Sequence, residues 1–97
     1  MGAMEKSVHT SEYSALRAEL RAARQSASLS QRELAARLKV SHSWVAKVEA
    51  GERRIDPVEL CWIAAACGAD PLALFERFVV ASRARGTRRS GKEGRAK

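Results

Sequence analysis

The side chains best suited to chemistry lie on a short predicted helix that follows Ser41. At about 100° per residue, its outward side carries two small alanines and three hydrogen-bonding side chains, namely His42, Ser43 and Lys47. The alanines allow the helix surface to approach a base-pair edge, where Lys47 can donate to guanine N7 and O6. The same pattern also fits an ordinary solvated helix face. The residues around this helix therefore decide between base recognition and simple solvation.

Two short helices joined by a turn are predicted to place these side chains. Ser30 with Glu33 three residues later forms a capping box, in which each side chain satisfies a backbone N–H at the helix start. Leu29 and Leu34 stand at hydrophobic-staple positions around this start. The first helix of the pair is expected to begin at Ser30 and end near Lys39. Its buried residues are predicted to be Leu34, Ala35 and Leu38.

The second helix of the pair has equally clear ends. Ser41 is a favourable N-cap, and Gly51 supplies the left-handed residue that commonly ends a helix. Val45 and Val48 fall together on one side and are expected to face the core, with Trp44 on their flank. This arrangement leaves the hydrogen-bonding side pointing away from the core.

Three segments of the chain together resemble the helix-turn-helix domain of the lambda-repressor and Cro superfamily, of the xenobiotic-response-element (XRE) type. They are LSQRELAARL, VSHSWVAKVEAG and ERRIDPVEL, and they occur in the family's order and at its separations. The similarity covers roughly residues 16–78. It implies an all-α fold, a compact five-helix lambda-repressor-like domain that binds double-stranded DNA.

The resemblance, together with position and charge, assigns DNA contacts to particular residues. Those expected to read bases are the outward residues of the third helix: His42, Ser43 and Lys47. Those expected to contact the DNA backbone are Gln31, Arg32, Trp44, Arg53 and Arg54. Arg24, near the end of the first helix, matches a position that is structural in this family.

Two residues depart from the family pattern. Ser28, before the second helix, and Lys39, in the turn, stand where the family usually has glycine. A left-handed conformation costs a non-glycine residue about 1 kcal/mol. Either the turn geometry differs slightly, or Lys39 is tolerated because its charge helps near phosphate.

Composition favours a nucleic-acid partner. The 97 residues suit one domain, and the net charge of +7 with a pI near 10.3 points to a polyanion. No apolar run approaches the ~20 residues needed to span a bilayer, and no signal peptide is recognised. The expected location is the bacterial cytoplasm, in association with the nucleoid.

The cysteines agree with a reducing compartment. Cys61 and Cys67 are separated on a predicted helix by a rise of roughly 9 Å, beyond the ~7 Å limit for a disulfide. His9 and His42 lie far from them in the sequence, so no zinc site is expected. No other cofactor is predicted either.

Three further helices complete the predicted domain. Residues 11–26 form the first helix. The fourth begins with Asp56 as N-cap and runs to Cys67, and the fifth begins at Asp70 and Pro71. The fifth helix is expected to close the core with Leu74, Phe75 and Phe78.

The fourth helix is apolar nearly all round, which predicts a second buried face. Val58, Trp62 and Ala66 lie opposite its core stripe, and a chain this small has little else to cover them. Leu72 and Val79 share one side of the fifth helix and can continue this surface. The predicted homodimer interface comprises Val58, Trp62, Leu72 and Val79. Alternatively, the last helix or the tail folds over Trp62.

Composition also divides the chain. Residues 1–10 are expected to be disordered and partly vector-derived, residues 11–81 to form the helix-turn-helix domain, and residues 82–97 to form a flexible tail. The tail carries seven basic residues and one acid. Residues 30–54 have six bases and three acids, whereas residues 55–81 have one base and four acids. The predicted reading side is therefore positive and the predicted dimer side negative.

Two functions fit this description. The first is a sequence-specific transcriptional regulator, a homodimeric repressor that binds a palindromic operator through the major groove. The alternative is a protein-interaction module, such as a DNA-binding antitoxin or an antiactivator, in which Trp62 and the last helix bind another protein. An enzyme is not expected. The sequence offers no Gly-rich phosphate loop, no metal-ligand cluster and no nucleophile with a matching base and orienting acid.

Overall fold

The computed structural model describes residues 10–85, which fold into five α-helices. They are α1 (Ser11–Ser26), α2 (Gln31–Leu38), α3 (His42–Ala50), α4 (Pro57–Ala66) and α5 (Pro71–Arg85). The predicted all-α, five-helix class is confirmed. α1 packs along α5, and α2 packs on both α3 and α4. No single helix in this part of the chain is long and apolar enough to cross a bilayer. α4 and α5 meet that criterion only as a pair bent by 117°.

Two capping boxes explain where α2 and α4 begin. Ser30 Oγ accepts a hydrogen bond from the Glu33 N–H at 3.0 Å, and the Glu33 carboxylate accepts from the Ser30 N–H at 2.7 Å. Asp56 and Glu59 form the same reciprocal pair at 2.8 and 2.9 Å. Each box appears in the sequence as an N-cap residue followed three positions later by glutamate, so local chemistry defines both helix starts.

Ser28 and Lys39 both adopt the left-handed conformation, with φ of +59° and +61°. The turn therefore keeps the geometry that glycine favours, rather than an altered one. Lys39 ends α2, and its N–H donates to the carbonyls of Ala35 and Ala36. The strain of about 1 kcal/mol for a left-handed non-glycine residue is thus present at both positions.

Lys39→Gly is expected to raise the free energy of unfolding by about 0.5 to 1 kcal/mol, because relieved strain exceeds the added chain entropy of glycine. Ser28→Gly is the matched control, since it relieves the same strain without removing a charge. Urea denaturation measures both variants. If Lys39 is retained for its charge near phosphate, only Lys39→Gly will also weaken DNA binding. Failure of both variants to gain stability would contradict the strain assignment.

The core is one cluster in which α1 and α5 supply the largest buried side chains. Leu20 and Leu74 are fully buried. Leu34 and Ala35 of α2 are buried as predicted, whereas Leu38 is only half-buried at the edge of the cluster. The buried residues that attach α3 and α4 are Val45, Val48, Ile63 and Ala64.

Three predicted placements were wrong. Phe75, expected in the core, is 48% exposed, because Leu74 takes the inward position on α5 and the next residue points about 100° away. Its ring contacts Phe78, with ring centroids 5.6 Å apart, and Phe78, also expected in the core, is half-buried outside the core cluster. Ala66, expected on the outer face of α4, is half-buried against the core. α2 packs on that end of α4, where Arg37 donates to the Ala66 carbonyl at 2.8 Å.

The ends of the domain differ slightly from the predicted boundaries. Thr10, assigned to the N-terminal segment, caps α1, and its Oγ1 accepts from the Tyr13 N–H at 3.1 Å. α5 continues to Arg85, past the predicted boundary at residue 81. The rest of the predicted N-terminal segment and of the predicted tail lies outside the described residues.

Both cysteines are free thiols. Cys61 is exposed and Cys67 is half-buried, and burial raises the pKa of the Cys67 thiol. Within residues 10–85, no three His, Cys, Asp or Glu side chains cluster as a metal site requires.

Candidate nucleic-acid interface

α3 presents one face to the core and the opposite face to solvent. Val45 and Val48 are each 2% exposed and anchor the inner face. Ser41 caps the start of α3, and Gly51, with φ of +81°, ends it. The hydrogen-bonding side chains exposed on the outer face are His42, Ser43 and Lys47. The structure thus brings the three predicted base-reading residues onto one short exposed surface.

A buried ion pair joins α3 to α1. Glu49 is 5% exposed and accepts two hydrogen bonds from Arg24, from Nε at 2.6 Å and from Nη2 at 2.9 Å. Arg24 also donates from Nη1 to the Leu29 carbonyl at 2.8 Å, and Arg21 Nε lies 3.5 Å from the same carboxylate. The network ties together α1, α3 and the connection before α2. Arg24 therefore has the structural role that the family resemblance implies.

The surroundings of Glu49 keep its carboxylate ionised. Burial alone would raise the pKa of Glu49, but hydrogen bonds from Arg24 and Gln31 outweigh it and lower the pKa below its ordinary value. The hydrogen bond to Glu49 likewise raises the pKa of Arg24. The sequence analysis missed Glu49, although it stands four residues after Val45 and so shares its face of α3. A charged residue at a position that faces the core was the feature of the sequence that indicated a buried ion pair.

Gln31 connects this buried pair to the exposed face of α3. Its Nε2 donates to Glu49 Oε1 at 3.0 Å, and its Oε1 lies 3.3 Å from Nε2 of His42. Gln31 and His42 are the first residues of α2 and α3. The residue predicted to contact phosphate therefore lies beside one predicted to read bases, at the N-termini of both helices.

Arg53 lies against Trp44 and the start of α4. Its guanidinium carbon is 4.6 Å from the centre of the half-buried Trp44 ring, a cation–π contact. It also donates to Glu59 from Nη2 at 3.1 Å and from Nη1 at 3.2 Å, which raises the pKa of Arg53. These contacts, which the sequence analysis did not predict, fix the loop between α3 and α4.

The surface around α2 and α3 is rich in positive charge. Arg32 on α2 and Arg54 in the loop after α3 are exposed. Residues 30–54 carry six bases and three acids, and one of those acids, Glu49, is buried against Arg24. One of the bases, Arg53, is likewise paired with Glu59, so the remaining residues of this segment keep an excess of positive charge that attracts a polyanion.

A second exposed surface is apolar and lies on α4 and α5. Of the predicted dimer residues, Val58 is 55% exposed, Trp62 56% and Leu72 78%, whereas Val79 is half-buried. Phe75 adds its ring to this surface. A groove of about 430 Å³ opens between α1, α4 and α5, and the large apolar side chains that line it include Leu16, Ile55, Leu60, Leu72, Phe75 and Phe78.

Comparison with known proteins assigns the family. A family model described as a helix-turn-helix domain matches residues 15–78. An XRE-family like protein from Pseudomonas syringae pv. tomato str. DC3000 is 40% identical, with 75% of this chain and 89% of that chain covered and a TM-score of 0.70. The chain belongs to the XRE helix-turn-helix family. This XRE-family chain is also similar to the clp gene regulator ClgR from C. glutamicum. The identity is 26%, the coverage is 70% of this chain and 88% of that one, and the TM-score is 0.64. The search of curated proteins found no match.

Membership of the XRE family confirms the resemblance seen in the sequence. α2, the turn and α3 are the helix-turn-helix, and the protein is a DNA-binding transcription regulator. The family is typically non-enzymatic.

Proposed function

We propose that this XRE-family protein is a homodimeric repressor that reads a palindromic operator in double-stranded DNA. Residues 41–50 enter the major groove, where the side chains that contact base edges are His42, Ser43 and Lys47. The observation that carries the proposal is the exposed polar face of α3, supported from behind by the buried pair of Glu49 and Arg24. Occupation of a promoter then prevents transcription without a catalytic step.

Backbone contacts flank this reading face. They are proposed for Gln31, Arg32, Trp44, Arg53 and Arg54. Gln31 Nε2 has a second hydrogen beyond the one given to Glu49, and Arg53 has N–H groups beyond those bound to Glu59. Both side chains can therefore donate to phosphate oxygens while keeping their present contacts. Such contacts set register and affinity but do not specify sequence.

The dimer is proposed to form through the apolar surface of α4 and α5. Val58, Trp62, Leu72 and Val79 are the interface residues expected from the sequence, and the exposed ring of Phe75 extends the surface. Large exposed apolar side chains that form a patch on a small domain mark an interaction site. Two-fold symmetry would then place the two α3 helices about one DNA turn, ~34 Å, apart, so the operator would be an inverted repeat.

The basic residues 82–97 are proposed to add affinity for phosphate without sequence preference, since each neutralised phosphate releases counterions. Such a protein would work in the cytoplasm, in association with the nucleoid.

The apolar groove beside Phe75 favours a second candidate function. A DNA-binding antitoxin or antiactivator would use Trp62 and α5 to hold a different protein while α3 remains available for DNA. The oligomeric state separates the two candidates. A protein that is monomeric when purified alone, but paired with another protein in cells, would favour the second.

Lys47→Ala tests whether α3 reads bases. Loss of a base contact is expected to cost about 1 to 3 kcal/mol on the preferred sequence and to relax preference at one base pair. Arg32→Ala is the matched control, because loss of a phosphate contact should weaken binding to all sequences and reduce the salt slope by about 1. Binding to selected and random duplexes over a salt series measures both variants. A uniform loss for Lys47→Ala would contradict base readout.

A further inference from the structure

The solvent-facing side of α4 carries no charge. Its exposed residues are apolar or weakly polar, namely Pro57, Val58, Cys61, Trp62 and Ala65. The only carboxylate of this helix, on Glu59, is half-buried and paired with Arg53 at 3.1 Å. Within residues 10–85, the large exposed apolar side chains all lie on α4 or α5. A surface of this kind on a small domain is expected to be covered by another surface.

This face has a projecting ring and a recess side by side. Trp62 is 56% exposed on α4. The groove of about 430 Å³ opens beside the same helix, and its lining includes Pro57 and Cys61 of α4 and Leu72 of α5. At about 100° per residue, Cys61 and Ala65 follow Pro57 around the helix and precede Trp62. Two small side chains therefore separate the ring from the groove.

The groove has the chemistry that accepts an indole. Its lining is apolar except for Asp56 and the Cys61 thiol. Asp56 Oδ1 accepts from the Glu59 N–H at 2.8 Å, and the second oxygen of a carboxylate can accept a further hydrogen bond. A buried tryptophan needs this combination, because its rings are apolar and its single N–H requires an acceptor. A volume of about 430 Å³ is within the range of pockets that hold molecules larger than an indole.

The exposed area of this face is large enough for a dimer. Its four large side chains are 48 to 78% exposed, and they are Val58, Trp62, Leu72 and Phe75. Together with the smaller exposed residues of α4 they expose on the order of 600 Å² in each copy, so two copies would bury about 1,200 Å². This total reaches the lower end of the range for specific interfaces.

Two-fold symmetry decides how this face can pair with itself. A symmetric homodimer joins the same surface of both copies, so a projection that lies off the axis meets a different part of its partner. We propose that Trp62 of each copy inserts into the groove of the other copy, with the two-fold axis beside Cys61 and Ala65. This inference rests on the proposed homodimer and specifies how its two copies meet. A second copy is the occupant because a single face carries both the projection and the matching recess.

Complementation between two variants of the full chain tests this arrangement. Trp62→Ala removes the ring and keeps the groove, whereas Leu72→Glu keeps the ring and places a charge in the groove. Each variant alone should be monomeric at concentrations at which the wild type is dimeric. Mixed together, they should associate at least about tenfold more tightly than either does with itself, because one ring then meets one intact groove. Sedimentation velocity measures each sample.

Val80→Glu is the matched control for the charged variant. Val80 is 61% exposed on α5 but lines a different depression, beside Glu19 and Arg77, so this variant should dimerise like the wild type. Trp62 and Leu72 are themselves exposed, and circular dichroism should show that their variants are folded.

The outcomes separate this inference from the homodimer on which it rests. Dimers that survive both Trp62→Ala and Leu72→Glu would overturn the insertion and leave a homodimer formed elsewhere. Two monomeric variants that do not complement each other would overturn the reciprocal arrangement. A monomeric wild type would instead defeat the proposed homodimer together with this inference, and would favour a different protein as the partner at Trp62.

Cross-linking tests the position of the axis. The chain has two cysteines, so Cys67→Ala leaves Cys61 as the only thiol, and Cys61 is exposed. A short bis-maleimide should then join two copies, because residues beside a two-fold axis lie close to their symmetry mates. A single cysteine introduced instead by Ala22→Cys, on the exposed face of α1, should not cross-link. A dimeric protein in which Cys61 fails to cross-link would overturn the proposed axis.

Discussion

Glu49→Ala is expected to lower the free energy of unfolding by about 3 to 5 kcal/mol, the cost of leaving one partner of a buried ion pair without the other. Arg24 would keep its charge with its side chain only 12% exposed, and it would lose the two hydrogen bonds it makes to Glu49 at 2.6 and 2.9 Å. Gln31 would lose the acceptor that orients its amide. Urea denaturation followed by circular dichroism measures the change.

Glu19→Ala provides the control for this substitution. Glu19 pairs with Arg77 at 3.1 Å, but the Arg77 side chain is 53% exposed, and water screens the interaction. Removing it should cost less than about 1 kcal/mol. A double variant that replaces Arg24 and Glu49 with methionine should recover much of the lost stability, because no unpaired charge remains. Equal effects for Glu49→Ala and Glu19→Ala would contradict a buried, structural pair.

The same pair predicts the pH dependence of stability. Because the pKa of Glu49 is lower in the folded protein than in the unfolded chain, its contribution is present above the ordinary carboxyl pKa of about 4.3. It is lost as the pH falls through the lowered folded value. Glu49→Gln should therefore be less stable than the wild type near neutral pH and should lose less stability on acidification.

Ser43→Glu is expected to reduce DNA affinity at least about a hundredfold, because a like charge placed against the phosphates costs several kcal/mol. The fold should tolerate the change. Ser43 is exposed, and α3 has no acidic residue in its first turn, where a carboxylate interacts favourably with the helix dipole. Fluorescence anisotropy with a labelled duplex measures affinity, and thermal unfolding confirms that the variant is folded.

Ala22→Glu is the matched control, because it makes the same change in net charge on an exposed face of α1. Ala22 borders a depression that also includes Gly68 and Arg77, and none of the residues lining it is proposed to contact DNA. Its effect on affinity should be within about threefold, since an exposed charge more than a Debye length from the phosphates is largely screened. Similar losses for both variants would show that net charge, rather than the outer face of α3, governs binding.

The parts of the fold that follow from local chemistry were predictable. Ser30 with Glu33 and Gly51 define helix ends through hydrogen bonds and backbone conformations that need only neighbouring residues. The exposed face of α3 follows in the same way, because Val45 and Val48 leave one direction for the polar side chains. These features place the exposed outer face of α3 from sequence alone.

The features that depend on tertiary packing were not predictable in the same way. α4 is apolar on all sides, so its sequence could not show that α2 covers Ala66. On α5, adjacent apolar residues compete for the inward position, and packing against α1 selects Leu74 over Phe75. The partner of Glu49, Arg24, lies on a different helix. The hydrogen bonds that join Gln31 to Glu49 and to His42 also form only when α1, α2 and α3 pack together.

Selection from a library of random duplexes tests most directly whether α3 reads DNA sequence as part of a dimer. The full chain is mixed with the library over a series of salt concentrations, and the bound DNA is sequenced. An enriched inverted repeat with half-sites about one helical turn apart is the predicted result, and the affinity for it should persist at salt concentrations that abolish binding to random DNA. No enrichment, with all binding lost at moderate salt, would contradict sequence-specific readout and direct attention to a protein partner at Trp62.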